Sequence, residues 1–346
     1  MLPDWAGISV ICPVGNALCN CTILSTSCRE FQVKKLTLAA LIIGGFAASA
    51  QAQSNVTVYG VVDLGLAKSS GTSAVQRENH ASRLGFKGSE DLGNGLSAIF
   101  NLESEIKADT GEQKGGLFDR QATIGLKGSF GTVRLGRTKD LVDGAQTRVE
   151  PFNADGVVGK VNESMMRVGV SDSRVSNAIT YDSPNMEGFV ASAQYVLSEI
   201  KDADAGYSAL LTYDNGPFSA HAGYERAAQK VANSAKPSMY VIGGGYKFGD
   251  AKITAAYAKG DSKDVKKGKQ NAFLLGLSYT IGQGDAKVVY GKGKQTIAGK
   301  SDIDTVKEFG LGYDYHLSKR TDLYAYAGRE RVKEMTSYQL GISHKF

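Results

Sequence analysis

The chain has 346 residues, with 40 lysines and arginines against 35 aspartates and glutamates for a formal charge of +5, and 42% of it is hydrophobic. So small a basic excess gives no footing for a nucleic-acid partner. The mean hydropathy lies below zero, yet this does not exclude a membrane, because a wall of strands shows lipid only every second side chain.

The first feature along the chain is a leader. Lys34 and Lys35 precede an apolar run over residues 36–46, and Ala50, Gln51 and Ala52 form a small-x-small cleavage site ahead of Gln53. The run is too short for a spanning helix, which needs about 20 residues, so residues 33–52 read as a secretory signal peptide. Residues 1–32 hold all four cysteines (Cys12, Cys19, Cys21, Cys28) and the single tryptophan, Trp5. They stand ahead of a segment that ordinarily begins at its own initiator, so a misassigned start is expected, with Val33 encoded by GTG and Arg29-Glu30 by a purine-rich ribosome site. Cys19-x-Cys21 lacks the second ligand pair of a zinc site, and neither metal nor cofactor is expected. The remaining residues, 53–346, number 294. Removing residues 1–52 takes away three basic residues (Arg29, Lys34, Lys35) and two acidic ones (Asp4, Glu30), leaving 37 against 33, a charge of +4.

From residue 55 onward one pattern repeats: alternating apolar and polar residues punctuated by Gly, Asn and Asp. Strands are predicted over 55–67, 82–91, 95–107, 118–128, 132–139, 174–183, 188–198, 206–214, 217–228, 238–248, 251–261, 271–281, 285–295, 306–317, 321–332 and 336–346. These are sixteen, an even number whose ends are able to meet. Short turns at 92–94, 129–131, 184–187, 215–216 and 283–284 alternate with longer polar connections at 68–81, 108–117, 229–237, 262–270 and 296–305. Short turns on one rim and long loops on the other describe an all-β antiparallel transmembrane barrel rather than a soluble sandwich. In 306–317, Phe309, Leu311, Tyr313 and Tyr315 oppose Glu308, Gly310, Gly312, Asp314 and His316; in 323–331, Leu323, Ala325 and Ala327 oppose Tyr324, Tyr326 and Gly328. Tyrosines near strand ends suit an interfacial girdle. The run 272–281 is partly apolar on both faces.

One connection is different. Residues 140–173 run for 34 positions without a convincing strand, and a loop of that length in a compact fold is usually functional. Folded inward, it would narrow a lumen that side chains alone do not fill, since barrels of 16 to 18 strands enclose water. The final strand places Tyr338, Leu340, Ile342, His344 and Phe346 on one face and Gln339, Gly341, Ser343 and Lys345 on the other, as expected of a strand that closes a barrel in lipid.

Five segments in order carry a family resemblance: residues 58–63 (VYGVVD), 82–93 (SRLGFKGSEDLG), 120–126 (RQATIGL), 131–137 (GTVRLGR) and 181–189 (YDSPNMEGF). With the terminal phenylalanine, they make residues 53–346 resemble a Gram-negative general porin of the beta-proteobacterial type. The resemblance implies a homotrimer of 16-stranded barrels in the outer membrane, each with its third extracellular loop folded inside, passing small hydrophilic solutes and ions. It also implies a wall cluster of Arg83, Arg120 and Arg174 facing loop carboxylates, for which Asp143, Glu150 and Asp155 are the candidates. This loop reads Glu150-Pro151-Phe152-Asn153 where the enterobacterial branch has Pro-Glu-Phe-Gly. Phe346 is expected to be read by the barrel assembly machinery, and the basic run 263–269 to lie near lipopolysaccharide phosphates or other outer-membrane lipid.

Parity supports part of this independently. Arg83 opposes Leu84 and Phe86, and Arg134 opposes Val133 and Leu135, so both are expected in the lumen. Arg120 shares its parity with Ala122, Ile124 and Leu126, which points it into lipid at a cost of roughly 2 to 4 kcal/mol at the midplane; a bulge that returns it to the lumen is expected. Convergence of Arg83, Arg120, Arg174 and Arg134 predicts weak anion selectivity. The competing readings are a solute-specific channel, a non-conducting adhesin, and an enzyme, although His80, His221, His316 and His344 sit in no nucleophile motif. Amino-terminal sequencing of the mature protein is expected to begin at Gln53, and the Val33 codon to be GTG; any other codon there removes the proposed start.

Overall fold

A computed structural model describes residues 55–261, 268–297 and 299–346. The leader, the segment ahead of it and most of the basic run 263–269 lie outside the described residues. Among the described residues, seventeen strands form one sheet. They are β1 (Asn55–Ser69), β2 (Val75–Arg77), β3 (Arg83–Gly93), β4 (Leu96–Glu105), β5 (Gln121–Gly128), β6 (Gly131–Lys139), β7 (Arg174–Asp182), β8 (Phe189–Val196) and β9 (Gly206–Asn215). There follow β10 (Phe218–Arg226), β11 (Ser238–Phe248), β12 (Ala251–Asp261), β13 (Lys269–Ile281), β14 (Gly284–Thr296), β15 (Ile303–His316), β16 (Thr321–Glu330) and β17 (Met335–Lys345). Consecutive strands from β3 onward pair antiparallel, β1 pairs with β3, and β17 returns to β1 from Val61↔Lys345 to Ser69↔Ser337. The three-residue β2 ladders with β1, opposite Gly65–Ala67, continuing the position of β3, and its Arg77 carbonyl also accepts from the Gln339 side chain of β17 at 3.2 Å. The wall is therefore a closed barrel of sixteen staves, with the expected strands at nearly the expected bounds.

The long first connection differs in detail from an open polar loop. After β2 the chain turns so that Asn79 N–H donates to Asp63 Oδ1 (2.7 Å) and the Ser82 hydroxyl donates to the Asp63 carbonyl (3.1 Å). The first short turn falls one residue later than predicted: Asn94 (φ 53°) and Gly95 (φ 76°) both take positive φ, the backbone of a tight hairpin whose twist matches the strands.

Alternation assigns the two faces. Val56, Val58, Val62 and Leu66 of β1 and Tyr338, Leu340 and Ile342 of β17 are exposed, while Asp63, Gln339 and Ser343 between them are buried. In β15 and β16 the exposed set is Phe309, Leu311, Tyr315 and Leu323, as parity predicts. Tyr324 and Tyr326 are buried, however, and their hydroxyls donate to Asp63 (2.8 Å) and Asp314 (2.5 Å). They belong to the polar interior and not to an interfacial girdle, because position on the face, not residue type, decides orientation.

Residues 140–173, where no strand is predicted, contain two helices, α1 (Leu141–Gln146) and α2 (Gly156–Met166). Asp140 caps α1 by accepting from the Val142 and Asp143 amides at 2.8 and 3.0 Å. Val142, Val149, Phe152, Val158 and Met166 pack in one cluster with Met239, Val241, Leu274, Val289 and Tyr326. These wall residues share the face opposite the exposed apolar one. The two-sided apolarity of 272–281 is thereby explained: Phe273, Leu275 and Leu277 are exposed, while Ala272 and Leu274 are buried in that cluster.

The ends meet at Gly60 and Phe346, which exchange two backbone hydrogen bonds (3.1 and 3.2 Å). A Cβ on Gly60 would lie 2.4 Å from the Phe346 ring and 2.5 Å from the Arg83 carbonyl oxygen. Gly60→Val is therefore expected to destabilise the closed barrel by roughly 1–3 kcal/mol through overpacking. The check is the melting midpoint of the folded, heat-modifiable band on a gel; an unshifted midpoint would show the seam tolerates the side chain.

Candidate functional site: a charged constriction

The extended backbone of β3 and β4 aims alternate side chains inward, and Arg83 faces Glu105 across the pair while Gly85 faces Glu103. Glu103 and Glu105 are both buried. Arg120 bonds both: its Nε reaches Glu103 at 2.5 Å and an Nη reaches Glu105 at 2.7 Å. The parity conflict at Arg120 is resolved because β5 begins one residue later, at Gln121. Arg120 lies at the end of the preceding turn, released from strand alternation, and turns into the polar interior. Arg174 donates from Nε to the Arg120 carbonyl at 2.9 Å, and Arg83 Nε approaches Glu103 at 3.9 Å.

Arg83, Arg120 and Arg174 thus converge on one cavity of about 430 Å³, which Lys139, Lys345, His80, Glu103 and Asp155 also line. Five permanently basic side chains meet two carboxylates there, an excess of three. A contiguous cavity of about 480 Å³ shares Arg120, Lys139, Arg174 and Asp155 and adds Glu105, Lys114, Lys160 and Glu163 among its lining. Arg134 is not brought to this cluster. It pairs with Asp182 and lines a separate cavity with Lys87, Asn101 and Thr123, because its register places it opposite Gly125 and Thr180.

The three loop carboxylates separate into different roles. Asp155 lines the arginine cavity and lies 3.7 Å from His80; although burial pushes its carboxyl upward, His80, Lys160 and Arg120 hold it below the ordinary range. Asp143 is fully buried, bonded by Arg167 Nε at 2.6 Å with Lys139 at 3.5 Å, which places it beside α2 and shields its charge. Glu150 is also buried, accepting from the Phe152 and Ala154 amides (2.7 Å each) and from Asn162 (3.3 Å); it closes the turn before α2. The reading missed Glu103 and Glu105, although a signal existed: they alternate with Leu102 and follow Phe100, so a lipid-facing Phe100 and Leu102 require both glutamates inside.

Residues 37–334 match the model of the Gram-negative porin family. The chain belongs to that family. It is a porin of the outer membrane, and the similarity extends over most of its length. It is 32% identical to an outer membrane porin protein of Bordetella pertussis over 91% of this chain and all of that one. It is 35% identical to outer membrane porin protein 32 of Delftia acidovorans over 90% of this chain and all of that one. Among solved structures, an anion-selective porin from Comamonas acidovorans superposes with a TM-score of 0.73 at 29% identity, covering 85% of this chain and 100% of that one.

Burial pushes the Glu150 carboxyl of this porin up to about 7, against the pull of the Ala154 and Phe152 amides, Asn162 and Lys287. The folded chain then keeps a proton that the unfolded chain, titrating near ~4.3, releases. The stabilisation is full below that value and is lost as pH rises through about 7, a span worth roughly 4 kcal/mol. Glu150→Gln keeps an acceptor oxygen for the two amides, and is expected to flatten the decline of thermal stability across that window; an undiminished slope would assign it to another group.

Proposed function

We propose that this porin is a water-filled general diffusion channel for small hydrophilic solutes and ions, weakly anion-selective, in which residues 140–173 fold inward and form the narrowest point. Three contacts with separate parts of the wall support the inward placement: Arg148 with Asp214 on β9 (2.5 Å), the Val149 carbonyl with the Thr254 hydroxyl on β12 (2.6 Å), and the Val157 amide with Gln339 on β17 (3.1 Å). All three wall residues belong to the face opposite the exposed apolar one. Contacts with the same face at strands so far apart around the ring support a position in the interior.

The observation that carries the selectivity is the excess of five basic side chains over two carboxylates around the cavity. A ring of one sign lowers the barrier for counter-ions, and the anion selectivity of the Comamonas acidovorans relative accords with it. The preference is weak because Glu103 and Glu105 accompany the arginines. Arg83, Arg120 and Arg174 form the wall of the field and Asp155 its loop side; Asp143 and Glu150 hold the segment together, and Arg134 acts outside the constriction. The family resemblance supports a homotrimer and a role for Phe346 in assembly, and the exposed apolar belt supports residence among outer-membrane lipid and lipopolysaccharide.

A reversal potential across a planar bilayer under a salt gradient is expected to show modest anion preference, strengthened by Glu103→Gln. Clear cation preference in the wild-type channel would mean that Asp155 and its neighbours dominate. Liposome swelling with graded sugars is expected to fall smoothly with solute size; saturation by one sugar would instead identify a solute-specific channel, and absence of conductance an adhesin.

A further inference from the structure

The face of β13–β16 that meets residues 140–173 lacks side chains where the contact is tightest. A Cβ on Gly310 would lie 2.2 Å from Val158 Cγ1, one on Gly276 2.5 Å from both Pro151 Cγ and the Thr254 hydroxyl oxygen, and one on Gly312 2.3 Å from the Tyr326 ring and 2.9 Å from the Phe152 ring. Contacts below about 3 Å lie well inside the 3.5–4.0 Å optimum for carbon pairs, so something must move. The partners here do not yield easily. Val158 is β-branched, fully buried and held in α2, which leaves it essentially one rotamer. Pro151 is a ring, and Phe152 is fully buried edge-on against Tyr326 at 4.9 Å. A glycine inside a strand weakens that strand and commonly marks a close approach of another group. Three such positions, each opposite a stiff side chain of the same segment, form a recess shaped for it.

We propose that Gly276, Gly310 and Gly312 are specificity-determining positions of the channel: by keeping the wall free of Cβ atoms, they let the segment lie flush against β13–β16, and so set how far it extends toward Arg83, Arg120 and Arg174. The distance across that gap is the size limit for hydrophilic solutes. This rests on the inward placement proposed above and goes beyond it, since a segment can be inside the barrel without the wall glycines governing its reach. Gly293 provides an internal contrast. A Cβ there meets the wall's Thr305 hydroxyl at 2.8 Å and, on the segment, only Met165 Cγ at 2.9 Å, and an unbranched thioether adapts to such a gap.

An added methyl at Gly310 must regain about 1 Å of separation from Val158, which moves α2 toward the arginine wall. Gly310→Ala is expected to lower single-channel conductance by roughly a quarter and to shift the sugar cut-off to smaller solutes. Gly310→Ala combined with Val158→Ala is expected to restore both, and Gly293→Ala to change neither. If Gly310→Ala fails to assemble, Gly276→Ala and its combination with Pro151→Ala form the equivalent pair. The inward placement is tested separately with Gly310→Cys plus Val158→Cys. The Cβ position built on Gly310 lies 3.3 Å from Val158 Cβ, near the 3.5–4.5 Å of a disulfide, and residues 53–346 contain no cysteine. A disulfide that forms while Gly310→Ala leaves conductance and cut-off unchanged overturns the proposal and keeps the inward segment. Failure of the disulfide to form in an assembled barrel overturns the inward placement itself.

Discussion

Backbone hydrogen bonding at lipid depth is the constraint on which this structure depends. With no water to satisfy an exposed N–H or C=O, a sheet in a bilayer has to close, and every strand here finds its last partner only because β17 returns to β1. The seam between Gly60 and Phe346 is where that requirement meets the side chains: two backbone bonds, an aromatic ring laid over a residue with no Cβ, and the Arg83 carbonyl close behind. Remove the closure and two edges of unpaired groups face hydrocarbon.

Closure then divides the chain's chemistry by parity. The outer face holds the apolar set, and the inner face holds charges that no lipid surface would admit. Those inner charges are mostly paired, Arg120 with Glu103 and Glu105 and Lys287 with Asp314, and the 140–173 segment pairs its own Arg167 with Asp143 and Glu163. On the proposed reading, such pairing limits the field at the constriction to the unbalanced remainder and keeps the selectivity of a pore with several arginines weak. It also fixes the arginines in place, since each guanidinium is held by fixed acceptors and its donors keep a set direction.

Much of this was legible in the residues. The strand count, the short and long rims, the outward set of β15 and the inward direction of Arg83 followed from a period of two, which is strict in a strand. Other features failed for identifiable reasons. Arg120 lines the arginine cavity without the bulge that parity called for, because β5 begins at Gln121 and alternation has no meaning in the turn before it. Arg134 shared the correct face with Arg83 but not its depth, and depth is a matter of register. Asp143, Glu150 and Asp155 looked alike as loop carboxylates, while burial and partners gave each a different task. Glu103 and Glu105 were overlooked although their alternation with Leu102 placed them inside.

By itself, then, the sequence determined which face each strand residue takes, that the sheet has an even number of staves with apolar exterior and polar interior, and that residues 140–173 are exceptional. These are local properties, set by the pleat and by the solvent each face meets. Only the tertiary structure decided which charges share a cavity, which carboxylates are tied away from it, and which glycines lie beneath the segment. Those outcomes depend on register and on contacts between residues as far apart as Val157 and Gln339, and no spacing along the chain encodes how strands on opposite sides of a ring come to face one another.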